Sequence, residues 1–310
     1  MEKIINEISG EILKAELTKE KFLRKTNKNN KELYIVDANN SPNVMQEIAR
    51  LREVTFRKAG GGTGKSFDID NFDLSKENPY QQLIVWDDKE KQILGGYRFI
   101  FCKNVPKDEN GNIKLTTSKL FKFSKEFEKN YLPNLIELGR SFIRPIYQQA
   151  SKISRKSLFT LDNLWDGLGA LIVDYKSAKY FFGKVTMYKN FDKKARDLIL
   201  YFFKKYFYDD EKLVLPYESL DFFHKENELS AIINEKNYEN DYKILSKKVR
   251  ELGENIPPLI NSYMNISPSM KVFGTTNNKY FGNVEETAIM IKIGDIYNKK
   301  KERHIITYKK

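Results

Sequence analysis

The sequence predicts a single α/β domain built on a mixed β-sheet, for three reasons. Apolar segments of strand length alternate with helical periods along most of the 310 residues. Residues 82–86 and 93–101 are both strand-like and are separated by a short polar turn, which predicts a hairpin and therefore antiparallel neighbours in the sheet. Hydrophobic residues make up 40% of the chain, which is enough to fill a core.

The amino terminus predicts an amphipathic helix over residues 2–24, because apolar residues recur on one helical face. These residues are Ile4, Ile5, Ile8, Ile12 and Leu13. A polar stretch over residues 26–31 follows as a linker. We therefore divide the chain into a helical lead with its linker, residues 1–30, and one main domain, residues 31–310.

The main domain is predicted to start with a strand over residues 32–38. Ser41 and Pro42 then form a cap and a first-turn proline, which predict a helix through Phe56. The remaining predicted strands are 135–143, 180–188, 270–274 and 287–293, and the remaining predicted helices are 157–173, 193–207 and 240–252.

The net charge of the chain indicates which classes of partner it can attract. The chain has 54 Lys and Arg against 42 Asp and Glu, a formal net charge of +12, which attracts polyanions such as nucleic acid, anionic lipid or an acidic protein. No DNA- or RNA-binding motif is present, so we expect no nucleic-acid partner. One cysteine, Cys102, and two separated histidines, His224 and His304, predict no disulfide and no metal site.

No apolar run reaches the roughly 20 residues that span a bilayer, and the first residues lack a signal-peptide pattern. We expect a cytoplasmic protein, with peripheral contact at the inner membrane face through the amino-terminal helix.

Two loop segments carry chemistry-bearing residues. The glycine run 60–64 does not fit a phosphate loop, because a helix precedes it and the motif spacing is too short; it predicts either a hinged lid over a substrate or a helix stop. The carboxylates that follow, Asp68, Asp70 and Asp73, predict either a site for a cationic amine or a solvated turn.

Glu137 lies inside an apolar predicted strand, where a carboxylate is costly unless it is paired or in use. It is either a general base or one partner of a salt bridge, for example to Arg98. Strand alternation places Glu137 on the opposite face from Arg140. Further on, Arg155, Lys156 and Ser157 immediately precede the body of the helix predicted from Ser157, and they predict either an anion site or an ordinary charged turn.

Six segments, in this order and spacing, are similar to the hemolysin-like N-acyltransferases of bacteria: residues 51–57, 68–73, 95–98, 137–142, 161–169 and 256–263. These proteins have the GNAT-type acyltransferase fold and are related to ornithine-lipid and glycine-lipid synthases and to acyl-homoserine lactone synthases. The resemblance implies a GNAT-like mixed central sheet flanked by helices. It also implies transfer of a long-chain acyl group, 3-hydroxylated or not, from an acyl-carrier-protein thioester to an amino acid such as glycine or ornithine, in aminolipid biosynthesis.

The resemblance also assigns residues to roles. Glu137, Arg140 and Arg98 form the catalytic centre, and Glu137 accepts the ammonium proton directly or through water. The amine substrate binds at Arg52, Phe56, Asp70 and Asp73. Acyl-homoserine lactone synthases have a tryptophan where this chain has its glycine run, so the amine pocket differs from theirs.

The donor is expected to be acyl carrier protein, or acyl-coenzyme A as the other candidate, with no tightly bound cofactor and no metal. The pyrophosphate loop typical of acetyltransferases is missing, which favours a carrier phosphopantetheine arm contacted by Arg155, Lys156 and Ser157. Carrier proteins are acidic and suit the positive charge. The alternative is a non-catalytic protein on the same fold that binds acyl carrier protein or an anionic membrane.

Overall fold

The computed structural model describes residues 1–147 and 155–310, with the side chains of 155–159 left out of the description. The strands are β1 (Phe22–Lys25), β2 (Glu32–Val36), β3 (Gln81–Asp87), β4 (Gln92–Phe101), β5 (Phe121–Phe123), β6 (Leu135–Ile143), β7 (Tyr180–Met187), β8 (Val214–Pro216), β9 (Lys271–Asn278) and β10 (Val284–Lys292). The helices are α1 (Gly10–Glu16), α2 (Pro42–Lys58), α3 (Arg155–Asp174), α4 (Lys193–Phe207), α5 (Glu226–Ile232), α6 (Tyr238–Glu251), α7 (Pro258–Met264) and α8 (Asn298–His304).

Eight strands form one sheet in the order β1-β2-β3-β4-β6-β7-β10-β9, and β5 pairs with β8 in a small second sheet. All pairs in the large sheet are antiparallel except β6 with β7, so the predicted mixed sheet is confirmed. The β6–β7 ladder ends at the pair Leu138–Gly183, although both strands continue beyond it. The two strands therefore separate there and leave an opening in the sheet.

Consecutive residues of β3 show how the sheet separates two cores. Leu83 and Val85 pack with α3 and α4, whereas Ile84 and Trp86 pack with α2, because side chains alternate between faces along a strand. Burial on both faces explains why the central strands are apolar almost throughout. The GNAT-like architecture of a mixed sheet flanked by helices is thus present.

The predicted amino-terminal helix over residues 2–24 is wrong in its extent, because only Gly10–Glu16 is α-helical and a single 3₁₀ turn follows at Lys19–Lys21. Residues before it hydrogen-bond along the glycine run, with Glu2 N donating to the Gly64 carbonyl at 2.8 Å. Residues after it form β1, which pairs with β2 at the edge of the sheet. On both sides of α1, hydrogen bonds to distant parts of the chain take the place of helical hydrogen bonds. Part of the predicted helical lead, residues 1–30, therefore belongs to the large sheet. Within the described ranges, no helix is both long and apolar enough to cross a membrane.

Candidate active site

A β-bulge in β6 shapes the site. Gly96 of β4 pairs with Phe142, but Arg98 pairs with Gly139, so β6 has one extra residue between these pairs. Arg140 accommodates the extra residue by adopting a left-handed backbone conformation, with φ of 47°. The bulge reverses the alternation: Leu138 packs in the α3 core, whereas Phe142 packs in the α2 core. The predicted opposite placement of Glu137 and Arg140 is therefore wrong.

A cavity of about 580 Å³ occupies the opening between β6 and β7. Its volume lies within the roughly 300–1,000 Å³ of small-molecule sites. The cavity passes through the sheet and therefore has two halves. On the α2 side the lining residues include Thr55, Phe56, Ala59, Arg98, Thr116, Arg140, Phe142, Lys184, Thr186, Tyr188, Phe281 and Glu286. On the α3 side they include Leu138, Ile143, Leu161, Val185, Leu259, Ile260, Ile289 and Ile291.

Hydroxyl groups interrupt the apolar half at one point. The Tyr97 and Tyr263 hydroxyl oxygens lie 3.5 Å apart, and both side chains line the cavity. Burial raises the pKa of Tyr97, and Ser141 lies within hydrogen-bonding reach of its phenol. Burial and the neighbouring Tyr97 raise the pKa of Tyr263 well above its usual value, so both phenols stay protonated and can donate hydrogen bonds.

The cavity arginine Arg98 is backed by buried aspartates. Its Nη1 donates to Asp70 at 2.8 Å and to Asp73 at 3.1 Å. Burial alone would lower the pKa of Arg98, but Asp73 and Asp70 raise it, so the guanidinium stays charged. Burial alone would raise the pKa of Asp70, but the Arg98 charge holds it well below its usual range. Arg98 Nε has no hydrogen-bond partner in the described chain.

Of the four predicted amine-binding residues, the structure places one in the cavity lining and three behind it. Phe56 lines the cavity, whereas Arg52, Asp70 and Asp73 are not among its lining residues. Arg52 is fully buried and donates to Asp73 at 3.1 Å and to Gln82. This arrangement makes the three charged residues a support behind Arg98.

Arg140 is held over the polar half of the cavity. Its Nε donates to the buried Asp68 at 2.7 Å, and its guanidinium lies 4.2 Å from the centre of the Phe281 ring. Phe281 in turn packs edge-on against Phe56. Among the described residues no hydrogen-bond partner is seen for the terminal nitrogens of Arg140, which leaves that edge able to bind an anion.

Glu137 is fully buried and is not among the residues that line the cavity. Its carboxylate accepts hydrogen bonds from the Tyr80 hydroxyl, from Thr117 N at 2.9 Å and from Thr116 Oγ1 at 3.2 Å. The salt bridge to Arg98 considered from the sequence is not formed in the described chain; Arg98 lies over the Tyr80 ring instead. Thr116 lines the cavity and so connects Glu137 to it.

Lys184 and Glu286 form an ion pair in the cavity wall that the sequence analysis did not identify. Glu286 also accepts from Asn278 Nδ2 at 3.1 Å. Burial and the nearby Glu286 charge raise the pKa of Tyr188, also in the wall, to about 12. The available signal was Lys184 inside the apolar strand predicted over residues 180–188, whereas Glu286 lies just before the strand predicted over residues 287–293.

The glycine run is tied down in this structure. The Glu53 carboxylate accepts from Thr63 N at 2.9 Å and from Gly64 N at 2.8 Å, and Arg57 donates to the Lys65 carbonyl. These hydrogen bonds anchor the glycine run at the end of α2. They agree with a helix stop, one of the two interpretations of the sequence, and not with a hinged lid.

The remaining predicted contacts, from Arg155, Lys156 and Ser157, involve side chains that lie outside the described residues. Throughout residues 1–147 and 160–310, no group of three His, Cys, Asp or Glu side chains is arranged to hold a metal ion.

The chain is similar in sequence to known acyltransferases. Residues 51–156 match the family model described as an acetyltransferase (GNAT) domain. This match indicates an acyltransferase of the GNAT class. Over 99% of its length the chain is 53% identical to a glycine N(alpha)-acyltransferase of Bacteroides thetaiotaomicron, covering 91% of that protein. Over 100% of its length it is 51% identical to a glycine N(alpha)-acyltransferase of Phocaeicola vulgatus, covering 94% of that protein.

Among solved structures, the AHL synthase LasI is similar with a TM-score of 0.43 and 12% identity, over 90% of this chain and 98% of that one. The chain belongs to the GNAT-fold N-acyltransferases, because it is 53% and 51% identical to the two glycine N(alpha)-acyltransferases over nearly its whole length. The prediction of an enzyme, an acyltransferase, is confirmed, and the non-catalytic alternative is set aside.

Proposed function

We propose that this protein transfers a long-chain acyl group from an acyl-carrier-protein thioester to the amino group of glycine. The observation that carries the proposal is the cavity through the sheet, which has an apolar half and a polar half that meet where β6 and β7 separate. The two relatives are named as glycine N(alpha)-acyltransferases, which supports glycine as the acceptor.

The apolar half accommodates the acyl chain, because burying each methylene group is worth about 0.8 kcal/mol. Tyr97, Tyr263 and Ser141 are the polar groups that suit a hydroxyl on this chain. We therefore include 3-hydroxyacyl chains among the donors.

The polar half accommodates glycine. Arg140 has its free edge towards the cavity and binds the carboxylate, with Arg98 as a second cation in the same wall. Phe56 and Phe281 close this half against larger side chains.

Proton removal involves Glu137 through Thr116. The ammonium group gives one proton to the Thr116 hydroxyl oxygen as the Thr116 proton passes to Glu137, which accepts that hydrogen bond at 3.2 Å. The free amine attacks the thioester carbonyl, whose developing negative charge is stabilised by backbone N–H groups at the Arg140 bulge. The carbon–sulfur bond then breaks, the nitrogen loses its second proton, and the leaving thiolate takes up that proton to become a thiol.

The donor and the cellular setting complete the proposal. Acidic carrier proteins are attracted by the net charge of +12, and Arg155, Lys156 and Ser157 contact the phosphopantetheine arm. The product would be an aminolipid made in the cytoplasm and released to the inner membrane face, where the enzyme makes peripheral contact.

The test supplies purified protein with palmitoyl and 3-hydroxypalmitoyl carrier protein and an equimolar amino-acid pool, with mass spectrometry of the lipid extract. N-acylglycine as the main product supports the proposal, and acylation of another amino acid would contradict the acceptor. A parallel reaction with the matching acyl-coenzyme A tests the donor. We expect the KM for acyl carrier protein to rise with salt more than the KM for acyl-coenzyme A, and equal salt dependence would contradict carrier docking.

A further inference from the structure

The cavity wall has an unequal charge distribution. Its charged lining residues in the described chain are Arg98, Arg140 and Lys184, which are cations, and Glu286, which is the single acid. Arg98 and Arg140 are already paired with aspartates behind the wall. An acceptor that enters with an ammonium group therefore finds one carboxylate to bind.

Glu286 is held in place for such a contact. It is 2% exposed, and its two oxygens accept from Lys184 and from Asn278 Nδ2. The Asn278 side chain is itself oriented, because its Oδ1 accepts from Tyr280 N at 3.2 Å. A carboxylate oxygen has two lone pairs, so these bonds leave capacity for a further donor.

Structural stability alone does not account for this pair. Replacing a buried ion pair by apolar residues of similar volume is often neutral or stabilising, because desolvation of both charges offsets their attraction. The pair also lies at the opening itself, since Lys184 directly follows Gly183, the last β7 residue paired with β6. Glu286 is in β10, opposite Thr186 of β7.

We propose that Glu286 binds the ammonium group of the acceptor, with Lys184 and Asn278 as the residues that position it. This inference rests on the proposed amino-acid acceptor and adds its second anchor. The acceptor carboxylate lies at Arg140 on the β6 side. Its ammonium group contacts Glu286 on the β10 side with one N–H and Thr116, which also lines the cavity, with another. Two anchors of opposite charge select a zwitterion over a simple amine.

The experiment compares glycine with hydroxylamine, a nucleophile that is largely uncharged at neutral pH and has no carboxylate. In Glu286→Gln we expect the KM for glycine to rise about 10- to 100-fold, the effect of losing a hydrogen bond to a charged group. The rate of acyl-hydroxamate formation and the KM for the acyl donor should stay at wild-type values.

Glu285→Gln is the matched control, because Glu285 is the neighbouring residue and pairs with Arg196 at 2.8 Å on the other face of the sheet. Glu286→Gln leaves Lys184 as a buried charge without its partner, which could destabilise the fold. The double variant Lys184→Met, Glu286→Gln removes that charge and should show the same rise in the KM for glycine.

An unchanged KM for glycine in both variants would overturn the inference, and so would an equal loss with hydroxylamine, which indicates a general structural role. Wild-type enzyme that forms the hydroxamate but acylates another amino acid would contradict the proposed acceptor alone. The same comparison is then made with that amino acid.

Discussion

Gly139 offers a sharp test of where the reaction takes place. It is the first β6 residue beyond the last pair with β7, and it lines the cavity. A Cβ atom added there meets only Arg98 Nε, at 4.0 Å, within the described chain. Gly139→Ala therefore fits without overlap, and it should leave the free energy of unfolding unchanged or raise it by about 0.4–1 kcal/mol through the unfolded state.

The added methyl group nevertheless projects to the place where we locate the thioester carbonyl. Misplacing reacting groups by about 1 Å can cost about 100-fold in rate. We expect kcat/KM for N-acylglycine formation to fall about 10- to 100-fold, measured by mass spectrometry of initial rates, with urea unfolding measured on the same preparation.

Gly183→Ala is the contrasting variant across the opening. Its Cβ atom would lie 2.5 Å from the Leu138 carbonyl oxygen, so the backbone must shift. We expect a loss of about 1–3 kcal/mol in unfolding free energy, as for other overpacked sites. Wild-type kcat/KM in Gly139→Ala would refute the location of the reaction, and a stability loss equal to that of Gly183→Ala would refute the steric reasoning.

Three further changes test the rest of the site. Glu137→Gln should lower the unfolding free energy by about 1.5–3 kcal/mol in urea titrations, and it should slow turnover. Tyr80→Phe is the control for lost stability, and unchanged turnover in Glu137→Gln would remove Glu137 from the mechanism. Arg140→Lys loses the planar guanidinium, so the KM for glycine should rise about tenfold, and an unchanged KM would place the carboxylate elsewhere. The pKa of Asp70 is lowered by Arg98 despite burial, so its contribution to stability is present above the unfolded pKa of about 3.9. That contribution is lost as the pH falls through the folded pKa, so the stability difference between wild type and Asp70→Asn should shrink progressively as the pH falls below about pH 5. A difference that stays constant on acidification would contradict this assignment.

Much of the fold could be predicted because the local signals agree. Pro42 begins α2 as expected, and the β3–β4 hairpin, β6 and α4 have nearly the predicted bounds. The elements that were missed are short: α5, α7 and α8 have seven residues each, β1 has four, and β5 and β8 have three each. So few residues provide too little periodicity for a pattern to stand out.

The sequence by itself determined the alternation of helices and strands, the buried carboxylate at Glu137 and the resemblance to a family of N-acyltransferases. Only the tertiary structure decided which charged residues line the cavity. The bulge at Arg140 depends on pairing with β4, and the placement of Glu286 beside Lys184 depends on β10 pairing with β7 across about 100 residues of sequence. Period-2 and period-3.6 patterns record which face a residue shares with its near neighbours. They carry no information on strand order, and strand order is what brings β6, β7 and β10 together around one cavity.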